Sequence, residues 1–214
     1  MSVVLDNLDE FLKGTQGTIV LTLVSFAFAF AIGVVTAAFR VSPVPPLQFL
    51  GTTYVNLIRN TPLALLIILF YFGFPNIGIG YSRFTSAIIV LAAYTGTFVA
   101  EAVRAGINSV SRGQAEAARS LGMTFPQSMI AVVLPQALRT VVQPLGSIFI
   151  ALIKNSALAT IISVPNLSAS VERVVTDTAQ YTPVYLGAAV AYLLLTLPSE
   201  QAVAWLEHRA AIRR

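Results

Sequence analysis

The chain contains no cysteine and only one histidine, His208. These counts exclude disulfides and a thiol nucleophile, and they leave too few ligands for a structural zinc site. The only lysines, Lys13 and Lys154, follow Leu12 and Ile153, so neither completes the Gly-Lys-Ser/Thr end of a phosphate-binding loop. The arginines are scattered and form no basic cluster of the kind that binds nucleic acid. The sequence therefore predicts no catalytic residue, no metal site, no nucleic-acid partner and no ATP site.

Charge is also scarce, because only 10% of the 214 residues are charged. A soluble domain has about 25% charged residues. Hydrophobic residues make up 56% of this chain, and its mean hydropathy is +0.79. Such a chain lacks the polar residues needed to cover a core in water, so its composition predicts a membrane protein and argues against a soluble enzyme.

Long uncharged runs divide the sequence into candidate membrane spans. A helix of about 20 apolar residues crosses the hydrocarbon core. We predict an all-α membrane protein that forms one transmembrane domain over residues 1–214, with an interrupted, glycine- and proline-containing loop at about 105–138 outside the hydrocarbon core. The five predicted spans cover about residues 16–39, 60–80, 84–104, 140–162 and 182–205.

The basic residues near the span ends predict an orientation, because Lys and Arg are retained on the cytoplasmic side. With the amino terminus outside, the inner segments carry nine arginines and the outer segments carry Lys13, Arg83 and Arg173. We therefore expect an outer amino terminus and a cytoplasmic carboxyl terminus. The acidic start of the chain argues against a cleavable signal peptide.

Small residues recur every four positions in two of the predicted spans. They are Ala29, Gly33 and Ala37 in the first span and Ala92, Gly96 and Ala100 in the third. Stripes of this kind allow helix backbones to approach closely. We expect packing between helices of the same chain, with an interface between subunits as the alternative.

The loop at 105–138 carries an ordered motif. Glu116-Ala117-Ala118 is followed after three residues by Gly122, and after nine more by Val132-Val133-Leu134-Pro135. This resembles the EAA loop of ABC-importer permeases, with Val132 in place of the usual isoleucine. The resemblance implies a type I importer (MetI-like) architecture in which two short helices, joined at Gly122, dock on a cytoplasmic ATPase subunit. By this resemblance, Glu116, Ala117, Ala118, Gly122, Leu134 and Pro135 form the coupling site.

Two further segments are similar to polar amino-acid permeases of this family. Arg59-Asn60-Thr61-Pro62-Leu63 resembles the start of their second span, and Lys154-Asn155-Ser156-Ala157-Leu158 resembles a segment of their fourth span. Residues 40–44 and 55–63 resemble actinobacterial glutamate-uptake permeases in particular. The resemblance implies uptake of a polar amino acid, with glutamate as the expected substrate, into the cytoplasm across the plasma membrane.

The family also implies a set of partners. An extracytoplasmic solute-binding protein delivers the amino acid, and a dimer of ATPase subunits hydrolyses ATP, so this chain binds no cofactor itself. Five spans are few for a complete path, which implies a second permease subunit, identical or paralogous. Membrane lipid surrounds the assembly.

Polar residues inside the apolar spans are the candidates for a substrate path. An ammonium at the centre of a membrane costs about 2.5–3.5 kcal/mol on insertion scales. The presence of Lys154 inside an apolar span therefore requires an explanation. Lys154 either binds a substrate carboxylate or contributes positive potential in the path, beside Asn155 and Ser156, or it forms a structural ion pair or carbonyl cap at the interface between subunits. Glu101, Glu172 and Asp177 are the possible partners of such an ion pair. Arg59 and Glu101, with Thr61 nearby, either extend to the interface or form an interhelical pair or gate.

Two other functional classes are alternatives to an ABC-importer permease. A secondary transporter or channel driven by an ion gradient also uses few spans and an intramembrane lysine, but it does not need the EAA loop. An intramembrane enzyme would need a serine–histidine pair, paired aspartates or a metal cluster, which the sequence lacks.

Overall fold

A computed structural model describes residues 2–210. Within that range the chain is all-helical, and no residue is in a strand. The α-helices are α1 (Ser2–Asp6), α2 (Leu8–Val41), α3 (Pro45–Arg59), α4 (Leu63–Ile68), α5 (Arg83–Ser109), α6 (Arg112–Ser120), α7 (Phe125–Ser128), α8 (Leu134–Asn155), α9 (Leu167–Thr178) and α10 (Tyr181–Ala210).

Four short π or 3₁₀ segments extend these helices. A π turn (Leu69–Gly73) and a 3₁₀ turn (Phe74–Ile77) continue α4, and a second π turn (Met129–Val133) joins α7 to α8. A 3₁₀ segment, Ser156–Ile162, follows α8. The result is one helix of 38 residues from Phe125 to Ile162.

Four helices within residues 2–210 are long and apolar enough to cross a membrane: Leu8–Val41, Arg83–Ser109, Phe125–Ile162 and Tyr181–Arg209. A fifth span is obtained if the pair Pro45–Arg59 and Leu63–Ile77, which is bent by 101°, counts as one. The expected all-α membrane fold of about five spans is therefore confirmed.

The structure differs from the predicted boundaries in two places. The predicted second span at 60–80 is a shorter apolar segment, Leu63–Ile77, preceded by a separate helix α3 that the sequence analysis did not predict. The predicted start of the fourth span at residue 140 lies inside a helix that already begins at Phe125. Pro45 and Pro46 occupy the first turn of α3, where proline needs no amide hydrogen bond.

The centre of the bundle is the pair α2 and α5, which pack along the small-residue stripes. A Cβ added at Gly33 would lie 2.5 Å from Val99, and one added at Gly96 would lie 3.2 Å from the carbonyl oxygen of Ala29. Ala29 and Ala37 are fully buried. The expected packing within one chain is confirmed, and it fixes α5 as the helix on which the other elements are arranged.

Helix α9 is a second element that the sequence analysis did not predict. Asn166 is fully buried, and its side-chain oxygen accepts the backbone N–H of Ala169 at 2.8 Å, which begins the helix. Its side-chain amide donates to the carbonyl of Ser156 at 2.9 Å. Arg173 of α9 pairs with Glu10 of α2 at 2.9 Å, so α9 packs against the amino-terminal end of α2.

Candidate functional site

The segment between α6 and α7 forms a turn around Gly122, as the motif predicted. Gly122 has a φ of +82°, a conformation that glycine adopts without a steric penalty. Its N–H donates to the carbonyl of Arg119 at 2.9 Å, and the N–H of Met123 donates to that of Ala118 at 3.2 Å. These bonds satisfy the last carbonyls of α6, and so they end the helix sharply.

The next helix begins immediately after this turn. The Thr124 and Gln127 side chains form a capping box that starts α7. Contrary to the expectation of two short helices, the second one continues through the π turn into α8. Leu134 and Pro135 therefore lie in the first turn of α8, with Leu134 half-buried and Pro135 exposed.

Three large apolar side chains are exposed around the turn. Leu121 is 84% exposed, Ile130 is 68% exposed and Phe125 is 57% exposed. We call these three residues the loop apolar surface. It borders a shallow groove of about 490 Å³ that includes Gly122. Such an exposed apolar surface, clustered around a turn, is suited to contact another protein.

The two alanines of the motif differ in their exposure to solvent. Glu116 and Ala117 are exposed, whereas Ala118 is buried under the turn. Ala118 is therefore a packing residue, and Glu116 and Ala117 present a carboxylate and a small side chain beside the loop apolar surface. Leu121, Phe125 and Ile130 were not predicted from the sequence, because exposed apolar residues have no signature in a single sequence.

A charge cluster joins three helices at Glu101. One carboxylate oxygen of Glu101 accepts Arg40 of α2 at 2.5 Å and lies 3.6 Å from Arg59 of α3. The other oxygen accepts Arg104 at 2.8 Å. The side chain of Arg40 is only 10% exposed, so one partly buried carboxylate compensates several guanidinium groups.

Of the two alternatives for Glu101, the structure shows the interhelical ion pair. Glu101 does not extend freely to the membrane interface, because its carboxylate forms interhelical ion pairs. Within one chain, Glu101 is also not the partner of Lys154. Within residues 2–210, no carboxylate lies within 4 Å of the Lys154 ammonium, and Glu172 and Asp177 are not paired with it either.

The predicted path residues 154–156 have three different environments at the end of α8. Lys154 is exposed and Asn155 is half-buried. Ser156 is fully buried and donates to the carbonyl of Ile153 at 2.6 Å. Ser156 is therefore a structural residue of the turn, whereas Lys154 and Asn155 remain accessible to a ligand.

Asn155 lines a cavity of about 230 Å³ between α5 and α8. Tyr94 and Phe98 of α5 form the opposite wall. The guanidinium of Arg59 lies 5.0 Å from the centre of the Phe98 ring, on which it is held by a cation–π contact. One aromatic ring therefore links the cavity at Asn155 with the Glu101 cluster, although the two groups are far apart in the sequence.

Thr61 is separate from both groups. Its hydroxyl donates to the carbonyl of Leu57 at 2.8 Å, so it helps to end α3 before the bend. Tyr94 and Phe98 were not predicted as part of the site, although their spacing of four residues on an apolar helix indicates a shared face.

A family model described as "Binding-protein-dependent transport system inner membrane component" matches residues 17–212. The chain belongs to this family. The expectation of a permease of the polar amino-acid ABC importers is thereby confirmed, and a multi-pass inner-membrane protein is confirmed with it. This membership favours a binding-protein-dependent importer over the alternative driven by an ion gradient.

Relatives and a solved structure agree over almost the whole chain. The "Probable glutamine ABC transporter permease protein GlnM" of Bacillus subtilis is 41% identical over 98% of this chain and 97% of its own. The glutamate transport system permease protein GluC of Corynebacterium glutamicum is 38% identical over 92% of each. A chain in the crystal structure of an amino acid ABC transporter with histidines has a TM-score of 0.91 and 32% identity, covering 96% of each.

Proposed function

We propose that this chain is the transmembrane subunit of an ABC importer that moves a polar amino acid, with glutamate as the favoured substrate, into the cytoplasm. An ATPase dimer binds at the turn around Gly122 and hydrolyses ATP. A second permease subunit, identical or paralogous, completes the path, and an extracytoplasmic solute-binding protein delivers the amino acid. The chain itself binds no ATP.

The observation that carries this proposal is the exposed turn at Gly122. Its positive φ presents Glu116, Ala117 and the loop apolar surface together at one end of the bundle. The continuous helix from Phe125 to Ile162 then leads from this turn to Lys154 and Asn155. A contact made at the turn is therefore joined directly to the candidate path.

Replacing Gly122 with valine tests the coupling role. A β-branched residue at positive φ costs about 1–3 kcal/mol in backbone strain, so the turn should change shape. We expect uptake to fall at least about tenfold and binding of the ATPase subunit to weaken, while membrane insertion is unchanged. Uptake, ATPase activity and copurification of the ATPase subunit are the three measurements.

Gly113→Val is the matched control, because Gly113 also has open space around it but has an ordinary helical φ. We expect that variant to transport nearly as well as the wild type. If Gly122→Val leaves uptake, ATPase activity and copurification all normal, the turn is not the coupling site.

Support for an acidic substrate comes from Lys154 and from the relatives. Lys154 is exposed and is the chain neighbour of Asn155, which lines the cavity, so its positive charge can attract a carboxylate towards this end of α8. One relative is a glutamate permease and another is described for glutamine, which favours substrates of this size. We favour glutamate over glutamine because the side-chain carboxylate of glutamate is attracted by the positive charge of Lys154.

The proposed orientation places the turn at Gly122 in the cytoplasm and the amino terminus outside. The ends of the helices carry charges that fit it: Arg40, Arg104 and Arg139 lie towards the loop, and Arg83 and Arg173 lie towards the opposite end.

Single cysteines can test this orientation, because the wild type has none. Ser111→Cys lies at the start of α6, and Asn76→Cys lies in the exposed segment between α4 and α5. On intact cells, a membrane-impermeant thiol reagent should label the cysteine at position 76 and spare the one at position 111. The reverse pattern would overturn the orientation, and permeabilised cells, in which both should react, are the control.

A further inference from the structure

A second groove lies on the opposite side of α8 from the Asn155 cavity. It has a volume of about 400 Å³ and opens between α2, α8 and α10. Phe26, Phe149 and Leu206 are among its apolar walls. The polar residue in the lining is Ser199, whose hydroxyl donates a hydrogen bond to the carbonyl of Leu195 at 2.7 Å. The groove therefore offers no polar group to a substrate, but it is suited to a hydrocarbon chain.

Two arginines lie beyond one end of this groove. Arg139 precedes the lining residue Val142 by three positions on α8, and Arg209 follows the lining residue Leu206 by three positions on α10. Residues spaced by three lie on the same face of a helix. Both arginines therefore continue the groove face, and both lie towards the end of the bundle that carries the turn at Gly122.

The contact between the two helices places these arginines at a similar depth. Gly146 of α8 packs against Val203 of α10, where an added Cβ would overlap the valine side chain. Arg139 lies seven residues from Gly146, and Arg209 lies six residues from Val203 in the antiparallel direction. At 1.5 Å per residue, both are about 10 Å beyond the contact.

The charges of this pair are not compensated within the described chain. Both arginines are exposed, and among residues 2–210 no carboxylate lies within 4 Å of either guanidinium. The acidic residues Glu200 and Glu207 of α10 lie on the helix face away from Arg209, at about 180° and 160° of rotation. The groove end therefore has a local positive charge.

Trp205 marks the depth of this end in the membrane. It is 53% exposed, and the guanidinium of Arg209 stacks 4.1 Å from the centre of its ring. Tryptophan is enriched at the boundary between hydrocarbon and headgroups. The arginines therefore lie at the level of the lipid phosphates, and the apolar groove extends from them into the hydrocarbon.

We propose that the groove between α2, α8 and α10 binds one anionic phospholipid, with its phosphate between Arg139 and Arg209 and an acyl chain in the groove. Basic pockets between membrane helices recognise anionic headgroups by this combination of charge and depth. The lipid would fill the space between α8 and α10 on the side away from the substrate path. A structural lipid of this kind links the helix that carries Lys154 to the carboxyl-terminal helix.

Trp205 is the only tryptophan of the chain, so its fluorescence reports on this site alone. The full chain is reconstituted in phosphatidylcholine vesicles that contain either brominated phosphatidylglycerol or brominated phosphatidylcholine at equal mole fraction. Bromine quenches tryptophan only at short range. We expect phosphatidylglycerol to be preferred at Trp205 on the order of tenfold to 30-fold, because each arginine near the surface contributes to anionic lipid binding.

The Arg139→Gln variant should lose most of this preference while leaving the Trp205–Arg209 stack intact. The double variant Arg139→Gln/Arg209→Gln should abolish the preference. A charge-matched control, Arg83→Gln/Arg173→Gln, removes two arginines at the opposite end and should keep it. Ala202→Phe fills the groove and should reduce quenching by the anionic lipid.

Four results would overturn the proposal. The wild type could show equal quenching by both lipids, or the double arginine variant could keep the preference. Ala202→Phe could leave quenching by the anionic lipid unchanged, which would place the lipid outside the groove. Quenching by neither lipid, together with a dimer whose interface covers Trp205, would assign the groove to a second copy. Excess inorganic phosphate should not compete, because it lacks the acyl chain.

Discussion

Replacing Glu101 with glutamine is expected to destabilise the protein by about 2–4 kcal/mol, more than removal of any single arginine that contacts it. The carboxylate compensates Arg40, Arg59 and Arg104 at once. Glutamine keeps the shape but leaves the nearly buried Arg40 without a counter-charge, and an unpaired buried charge is costly. In detergent, the apparent unfolding midpoint should fall by about 5–10 °C.

A double-mutant cycle distinguishes this explanation from a loss of packing. Arg40→Gln in the Glu101→Gln background removes the stranded charge, so the double variant should be more stable than Glu101→Gln alone. Arg104→Gln is the milder comparison, because the Arg104 side chain is 36% exposed. If the destabilisation of the double variant equals the sum of the destabilisations of the two single variants, the cluster is not a coupled unit.

Replacing Lys154 with methionine is expected to reduce glutamate uptake by about 10-fold to 100-fold per assembled complex. A contact between a charged donor and a carboxylate contributes about 1.5–3 kcal/mol. Methionine keeps most of the volume and removes the charge. Within one chain, no carboxylate of residues 2–210 pairs with Lys154, so a structural ion pair would have to form with the second subunit. Insertion and ATPase binding should be normal.

Uptake of labelled glutamate, normalised to the amount of assembled complex, is the measurement for this variant. Lys13→Met is the matched control, because Lys13 is the only other lysine and lies at an exposed position near Glu10. Lys154→Arg should retain part of the activity, since it keeps the charge but changes the hydrogen-bond geometry. Unchanged uptake in Lys154→Met would remove Lys154 from the path.

The sequence predicted those features that depend on composition and on local geometry. Long uncharged runs can be stable only as helices in lipid, so the helical fold followed from them. The positive φ of Gly122 followed from the residue type and its place after an alanine-rich helix. The close packing of α2 on α5 agrees with the pattern of Ala29, Gly33 and Gly96, because small residues that repeat on one face let two helix backbones approach closely.

Features that depend on distant parts of the chain were not predictable in the same way. The two interhelical partners of Glu101, Arg40 and Arg59, are 61 and 42 residues away, and no spacing rule connects them. The pair with Arg59 was one of two alternatives, and the pair with Arg40 was not expected. Helix α9 was missed because it contains Glu172, Arg173 and Asp177, although Leu167, Val171, Val174 and Val175 repeat at helical spacing after Asn166. The helical repeat of apolar residues was therefore present in the sequence, although the three charged residues interrupt the apolar run.

The helix from Phe125 to Ile162 is 38 residues long, or about 57 Å at 1.5 Å per residue. Because it begins beside Gly122 and carries Lys154 near its far end, it can work as a lever. A tilt of about 10° about the loop end would carry Lys154 sideways by about 8 Å, more than the width of an amino-acid carboxylate. A small rotation at the turn is thereby converted into a displacement on the scale of the substrate, with no intervening element.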